Sequence, residues 1–299
     1  VTAALACALA VALDRLLPEP RRHPLNAFAA AAAALEGRLN DGHRPRVRGA
    51  FAVAALLVPA AVIAALPGAL PIAGPVASVA LLWLALGGGS LAAHGSAVAA
   101  PLAAGDLSAA RAATARMVGR DTDVLDADGC AVAAAESVLE NGHDAVFGTL
   151  FWFVVAGPAG AVVYRLANTL DALWGHRNAR FARFGTAAAR LDDMLGFVPA
   201  RLTAATYALL GDRRGGWRHG LAGARGWPSG NAGAVMGAGA GALGMQLGGA
   251  ASYHGVHHER PTLGAGPAPD AGDLHRAVAL VDRGTAAWLM VITLGAGLG

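Results

Sequence analysis

The sequence predicts an all-α, polytopic integral membrane protein with helical cytoplasmic loops, and three observations carry that expectation. Of its 299 residues 55% are hydrophobic and only 14% are charged, with a mean hydropathy of +0.47. An ordinary soluble domain has about a quarter of its residues charged. The apolar residues also gather in long blocks and not in amphipathic stripes, at about 1–17, 50–66, 70–87, 146–164, 196–210, 231–250 and 285–299. Finally, arginine is concentrated between the blocks, and the chain contains no lysine. The chain reads as a single integral membrane domain over 1–299.

The elements follow in chain order. The opening "VTAALACALAVAL" has no basic n-region and runs into Asp14, so it reads as a short first membrane helix and not as a cleaved signal. The loop 18–49 carries Arg21, Arg22, Arg38, Arg44, Arg46 and Arg48, which the positive-inside rule places in the cytoplasm. Blocks 50–66 and 70–87 form a hairpin through the tight turn "LPGALPIAGP", returning the chain to the cytoplasmic segment 105–145. The loop 165–193, with Arg165, Arg177, Arg180, Arg183 and Arg190, is drawn to the same side. Block 146–164 then has two cytoplasmic flanks. Either it dips in and returns at Gly157-Pro158, or the arginine bias fails there. Blocks shorter than the roughly 20 residues of a span are interfacial, re-entrant or buried against neighbours. "GNAGAVMGAGAGALGMQLGG" (230–249) reads as close helix packing through small residues and not as a phosphate loop. The stretch 261–272 reads as a flexible loop.

Composition narrows the chemistry. Without lysine there is no Walker A loop and no protein Schiff base. Cys7 and Cys130 lie in apolar helical patterns with no metal or redox spacing. The pI of about 9.4 comes from arginine-rich loops, which point to topology and phosphate binding with no nucleic-acid stripe.

Two polar clusters flank block 146–164. In "MVGRDTDVLDADGCAVAAAESVLENGHD" (117–144), Asp123 or Asp126 caps a helix that Asn141-Gly142 can end. Asp121, Asp123, Asp126 and Asp128 are out of register with a calcium loop. Glu136 and Glu140 share one helical face, so like charges repel there unless a metal ion or an arginine lies between them. For Glu136, Glu140, Asn141 and Asp144 the spacing leaves a solvated helix end and a functional site equally open. In "YRLANTLDALWGHRNARFARFGTAAARLDDMLGFVPARLTA" (164–204), Asn168, Asp171 and Trp174 share a face, and Arg190, Asp192 and Asp193 open the next apolar block. Arginines offer bidentate donors to phosphate or carboxylate, and paired aspartates suit magnesium. Ionisable groups near membrane depth are costly and usually functional. His254 and His258 have the i, i+4 spacing of a metal pair, but Pro261 and the nearby glycines argue against a helix.

The motifs "LDRLLPEPRRHPLNAF", "VGRDT", "ESVLEN", "NTLDALWGHRN", "AARLDDMLGFVPARLTA", "PSGNAG" and "ERPTLG" resemble the CobD/CbiB family of cobalamin biosynthesis over almost the whole chain. Gly142-His143 and the histidine run 254–258 depart from the pattern without removing a carboxylate or an arginine of the motifs. The resemblance implies an amide-forming ligase in the cytoplasmic membrane, its site facing the cytoplasm. It would join the corrinoid adenosylcobyric acid to an amino-alcohol phosphate, with ATP and Mg2+, to give adenosylcobinamide phosphate. It leaves room for a homo-oligomer and implies no nucleic acid.

Under the resemblance, metal binding falls to Asp121, Glu136, Asp192 and Asp193, with Glu140 as a further candidate and as a catalytic carboxylate. His176 or Asp144 would take the proton of the attacking ammonium. Substrate and phosphate contacts fall to Arg120, Thr122, Asn141, Asn168, Asp171, Arg177, Asn178, Arg190, Asn231, Glu259 and Arg260. A corrinoid-binding scaffold or transporter, or a non-catalytic assembly or sensory protein of the same fold, remains the alternative, and ATP consumption dependent on both substrates separates them.

Overall fold

The computed structural model describes residues 2–20, 22–176, 178–253 and 255–297. The expected helical membrane architecture is present: twelve α-helices and four three-residue strands are found among the described residues. Four segments are long and apolar enough to cross a membrane: Pro45–Ala69, Ala73–Ala103, Ala127–Trp174 and Ala271–Ala296. Blocks 50–66 and 146–164 fall within them and 70–87 and 285–299 overlap them, whereas 1–17, 196–210 and 231–250 do not qualify. The chain divides into two compact units.

The first unit comprises Val1–Gly87, Asp144–Phe197 and Leu289–Gly299. Helix α1 (Ala3–Leu16) is followed by α2 (Pro24–Leu39), which Pro24 starts and His23 caps, its Nδ1 accepting the Leu25 N–H. Helix α3 (Pro45–Ala65) turns through a 3₁₀ segment, Leu66–Ala69, into α4 (Ala73–Ala85). The turn is where the sequence places it, but the two helices do not pair as a hairpin: α3 packs on α8 (Gly148–Trp174) and α4 on α1 and α8. The core joins α2, α3 and α8 around Val53, Leu57, Leu170, Trp174 and Phe184, with the Trp174 and Phe184 rings edge to face. Glu36, 3% exposed, receives a two-pronged hydrogen bond from Arg180, which holds its carboxyl below the usual range.

Helix α8 resolves the conflict of the arginine-flanked block. Its φ/ψ values leave the helical region at Ala156 and Gly157, and Gly157 has φ 63°, where glycine carries no Cβ penalty. The chain folds back there. A Cβ added at Gly148 would run into the Tyr164 ring. In a straight helix those positions would lie about 24 Å apart. From Asp144 to Val155 the inward arm covers about 18 Å at helical rise, short of the roughly 30 Å hydrocarbon core. The segment therefore doubles back on itself at Gly157-Pro158, as the first of the two solutions requires.

The second unit comprises Gly88–His143 and Val198–Trp288. It holds α5 (Gly88–Ala103), α6 (Leu107–Thr114), α7 (Ala127–Gly142), the second half of α9 (Thr186–Leu210), α10 (Arg213–Gly226), α11 (Gly230–Leu243) and most of α12 (Ala271–Ala296). Asp126 caps α7 by accepting the Gly129 N–H at 2.7 Å. The α-helix ends at Gly142, as the Asn141-Gly142 pair predicts, but the chain does not leave the helical path there. The chain continues into a π-helical turn, His143–Phe147, and Gly142 is needed for packing, since a Cβ there would lie 2.6 Å from the Tyr207 hydroxyl.

The small-residue block 231–250 is helical only to Leu243, where Gly244 stops α11 in the left-handed region. Residues 246–264 then form two short antiparallel ribbons, β1 (Gln246–Gly248) with β4 (Thr262–Gly264) and β2 (Ala251–Tyr253) with β3 (Val256–His258). The expected flexible stretch 261–272 thus begins with a paired strand and ends in α12. The packing expectation for the glycines is met: Cβ atoms at Gly223, Gly237 and Gly241 would strike backbone carbonyls of α10 or α11, so the two helices touch main chain to main chain.

Candidate active site

In the first unit the re-entrant turn assembles a polar cluster. Asp144 stands on the π turn, and Tyr164, Arg165, Asn168 and Asp171 stand on the returning arm of α8. The Asp144 carboxylate accepts from the Tyr164 hydroxyl and the Asn168 amide, with the Arg165 guanidinium close enough to act on its charge. Arg165 Nη1 donates to Asn168 Oδ1, and Asn168 Nδ2 donates to Asp192 Oδ1 on α9, both at 3.4 Å. Asp192 and Asp193 bring further negative charge to Asp171, and His176 lies in range of Asp171. Burial, then the neighbouring Asp144 and Asp171, push the Asp192 carboxyl up to about 8. Asp144, Asp171, Asp192 and Asp193 thus lie within electrostatic range of one another, and Arg165, near Asp144 and Glu19, has a buried Nε without a partner. Negative charge in excess of local cations, on side chains half-buried at Asp144, Asp171 and Asp192 and exposed at Asp193, fits a divalent cation or an ammonium group.

In the second unit α7 presents Glu136, 2% exposed, to four donors. Arg120 Nη2 reaches Oε2, Arg260 grips both oxygens at 3.1 and 3.2 Å, and the Gly248 N–H donates to Oε1 at 2.8 Å. These donors fill the carboxylate's acceptor sites, so Glu136, expected at a metal, is instead the anchor of a two-arginine clamp. Arginine, one of the two cations that could relieve the Glu136–Glu140 face, holds Glu136. Asp121 likewise accepts the Gly255 N–H at 2.8 Å, and its own N–H donates to Ser252, which ties it to the β2–β3 ribbon. Arg260 also donates to Gly249 O and lies over the Trp227 ring at 5.0 Å. Arg120 Nε is buried with no partner. Thr122 is buried, Asn141 bonds back to Ser137, and Arg201 holds Asn231. Glu140 is half-buried one helical turn beyond Glu136.

The other expected residues are placed less centrally. Asn178 accepts the Phe181 N–H in a local turn, His176 and Arg190 are exposed, and Glu259 pairs with His257 on an exposed ribbon. Arg177 and His254 lie outside the described residues. Among the described residues no three His, Cys, Asp or Glu side chains are placed to hold a metal ion. Magnesium commonly takes one or two carboxylates and completes its shell from substrate phosphates and water, which the Asp144–Asp192 cluster can supply.

Tyr164, Arg165, Arg201 and Trp227 were not among the expected site residues. Arg165 carried a signal, an ionisable group directly after an apolar run. Tyr164 carried none, because its contact depends on where the hairpin turns.

Comparison with known proteins decides the family. The CobD/Cbib protein model matches residues 7–281. The chain belongs to the CobD/CbiB family. It is 52% identical over 296 residues to the cobalamin biosynthesis protein CobD of Chromobacterium violaceum, covering 96% of this chain and 95% of that one. It is 53% identical over 292 residues to the protein of the same name from Stutzerimonas stutzeri, covering 97% and 96%. The CobD of Mycobacterium tuberculosis is 42% identical over 282 residues, covering 90% and 88%. No solved structure matches the chain. The family places the protein in cobalamin biosynthesis.

Proposed function

We propose that this CobD/CbiB protein is an ATP-dependent amide ligase that joins adenosylcobyric acid to aminopropanol phosphate on the cytoplasmic side of the inner membrane. The observation that carries the reading is the excess of half-buried carboxylates over cations where Asp144 meets Asn168 and Asp192. That is a surface for a magnesium-bound polyphosphate or for an ammonium nucleophile, and the reaction uses both.

A carboxylate is a poor electrophile at neutral pH. In the proposed sequence an oxygen of the corrinoid carboxylate attacks the γ-phosphorus of ATP, releasing ADP and leaving an acyl phosphate. The amine of aminopropanol phosphate then attacks the acyl carbon, and inorganic phosphate leaves as the amide forms. Magnesium, when bound, would neutralise phosphate charge, with Asp192 and Asp193 as its protein ligands. Asp144, held by Tyr164 and Asn168, is positioned to accept the proton that the ammonium must lose, with His176 as the alternative base. Arg165 offers its unpartnered Nε to an oxyanion. In the second unit, Arg120 and Arg260 keep Glu136 as their counter-ion and retain donors for a phosphate or for amides of the corrin rim. Glu140 adds a carboxylate beside that clamp.

The test is turnover by the purified protein in lipid nanodiscs with adenosylcobyric acid, aminopropanol phosphate and Mg-ATP. The reading requires adenosylcobinamide phosphate and one ADP per amide, with both organic substrates needed. Corrinoid binding without nucleotide consumption would replace the ligase by a scaffold or transporter.

A further inference from the structure

We propose that the outward face of α10 is a docking surface for the headgroups of anionic phospholipids. One side of this helix is committed to protein: Gly216, Gly220 and Gly223 are buried against α9 and α11, with Gly216 over Ala208. The opposite side is exposed and carries Arg214, Trp217, Arg218, Leu221 and Arg225. At 100° per residue those five positions fall within a third of the helix circumference. Trp217 is 45% and Leu221 55% exposed, large apolar surface that an aqueous face does not favour.

The arginines have no acidic counterpart. Residues 213–226 contain no Asp or Glu, and among the described residues no ion pair to Arg214, Arg218 or Arg225 is found. The neighbouring Asp212 is occupied as the helix cap, accepting the Arg214 and Gly215 N–H groups at 3.1 and 3.2 Å. Beside the arginines lies an open cavity of about 310 Å³, bordered by Asp212, Arg214, Arg218 and His219 and by Gly241 and Gly244 of the adjoining segment. Positive charge, an amphipathic aromatic and an aliphatic side chain on one face are the features of a helix lying in a membrane interface. The occupant is a lipid and not a soluble anion because Trp217 and Leu221 need an apolar phase next to the charge.

The experiment uses the full chain with a nitroxide on Leu221→Cys, since both native cysteines are buried. The protein is placed in nanodiscs of phosphatidylcholine alone or with one-third phosphatidylglycerol. Each arginine near an anionic surface favours it about fivefold, so the three together favour it about a hundredfold. Collision of the label with a water-soluble nickel chelate should therefore fall at least about threefold in the anionic discs. One molar salt, which screens such contacts, should restore it, as should the triple change R214Q/R218Q/R225Q. Those side chains are exposed, so the triple variant should melt as the parent does. Equal accessibility in the two lipids would overturn the proposal. So would a drop that persists in the triple variant, or one seen in neutral discs only on adding ATP, which would make the face a nucleotide site.

Discussion

Replacing Gly148 by alanine tests the re-entrant hairpin directly. The new methyl group would occupy the Tyr164 ring, and that ring is 1% exposed and hydrogen-bonded to Asp144. Neither arm can yield cheaply. Gly148 follows the π turn without a break, and Tyr164 is flanked by Arg165 and Leu166, which are fixed in the polar cluster and the apolar core. Overpacking of this kind costs about 1–3 kcal/mol. At roughly 2 °C per kcal/mol for a chain of this size, the melting temperature should fall by about 2–6 °C. A thiol-reactive dye reports the melt, because Cys7 and Cys130 are both buried until the protein unfolds. In a Tyr164→Ala background the same substitution should cost little, and the double-mutant cycle isolates the contact. If Gly148→Ala melts like the parent, or costs as much with Tyr164 absent as present, the two arms are not packed against each other and the hairpin is wrong.

Four further outcomes are expected. Glu136→Gln leaves Arg120 and Arg260 buried without a counter-charge, at a cost of about 3–5 kcal/mol, and limited proteolysis should cut the 246–264 ribbons faster. Glu140→Gln should lower product formation about a hundredfold with an unchanged melt, as loss of one transition-state electrostatic contact does; turnover close to the parent's would remove Glu140 from the site. Asp192, raised to about 8, holds in the folded state a proton that the unfolded chain releases near its ordinary value of about 3.9. Its contribution to stability is therefore present below about pH 4 and lost as pH rises toward 8, so between pH 6 and 8 without magnesium the parent should melt lower as pH rises and Asp192→Asn should show a flatter slope. Arg44→Cys should resist labelling from the periplasmic side of intact cells, and efficient labelling would reverse the topology of the loop 18–49.

The sequence carried the membrane class because it rests on composition over long windows, which tertiary contacts cannot overturn; the pairing of α3 with α4 depends on tertiary contacts and is not found, since both pack on α8. It also posed the problem of block 146–164. Arginines on both flanks and Gly157-Pro158 in the middle left two solutions, and the positive φ of Gly157 supplies the chain reversal that one of them needs. Short-range signals did less well. Asn141-Gly142 marks the end of α7, yet the chain goes on directly as the π turn His143–Phe147, and Gly142 serves the packing against Tyr207 and Val281. The ribbons at 246–264 were hidden because three-residue strands carry no periodicity, and their register rests on pairing such as Leu247 with Leu263.

The site was legible as a set of residue types and much less as a set of partnerships. Glu136 shows why. Spacing alone says that Glu136 and Glu140 share a face and need a cation, and it cannot say whether that cation is a metal or an arginine. The deciding partner, Arg260, lies 124 positions away and is delivered by a ribbon the sequence does not announce. The reverse holds at Asp144, where no pattern links it to Tyr164, yet the fold places that hydroxyl on its carboxylate. The two carboxylates consequently have opposite chemical prospects. Glu136 is saturated by donors and bound to arginines, so removing its charge should be felt first as instability. Asp144 sits among like charges with one arginine nearby, so its environment favours a cation or a proton arriving from outside, the requirement of a group that receives the proton of an attacking amine. Glu136→Gln and Asp144→Asn should therefore separate: the first loses the fold along with turnover, and the second loses turnover while the melt is kept.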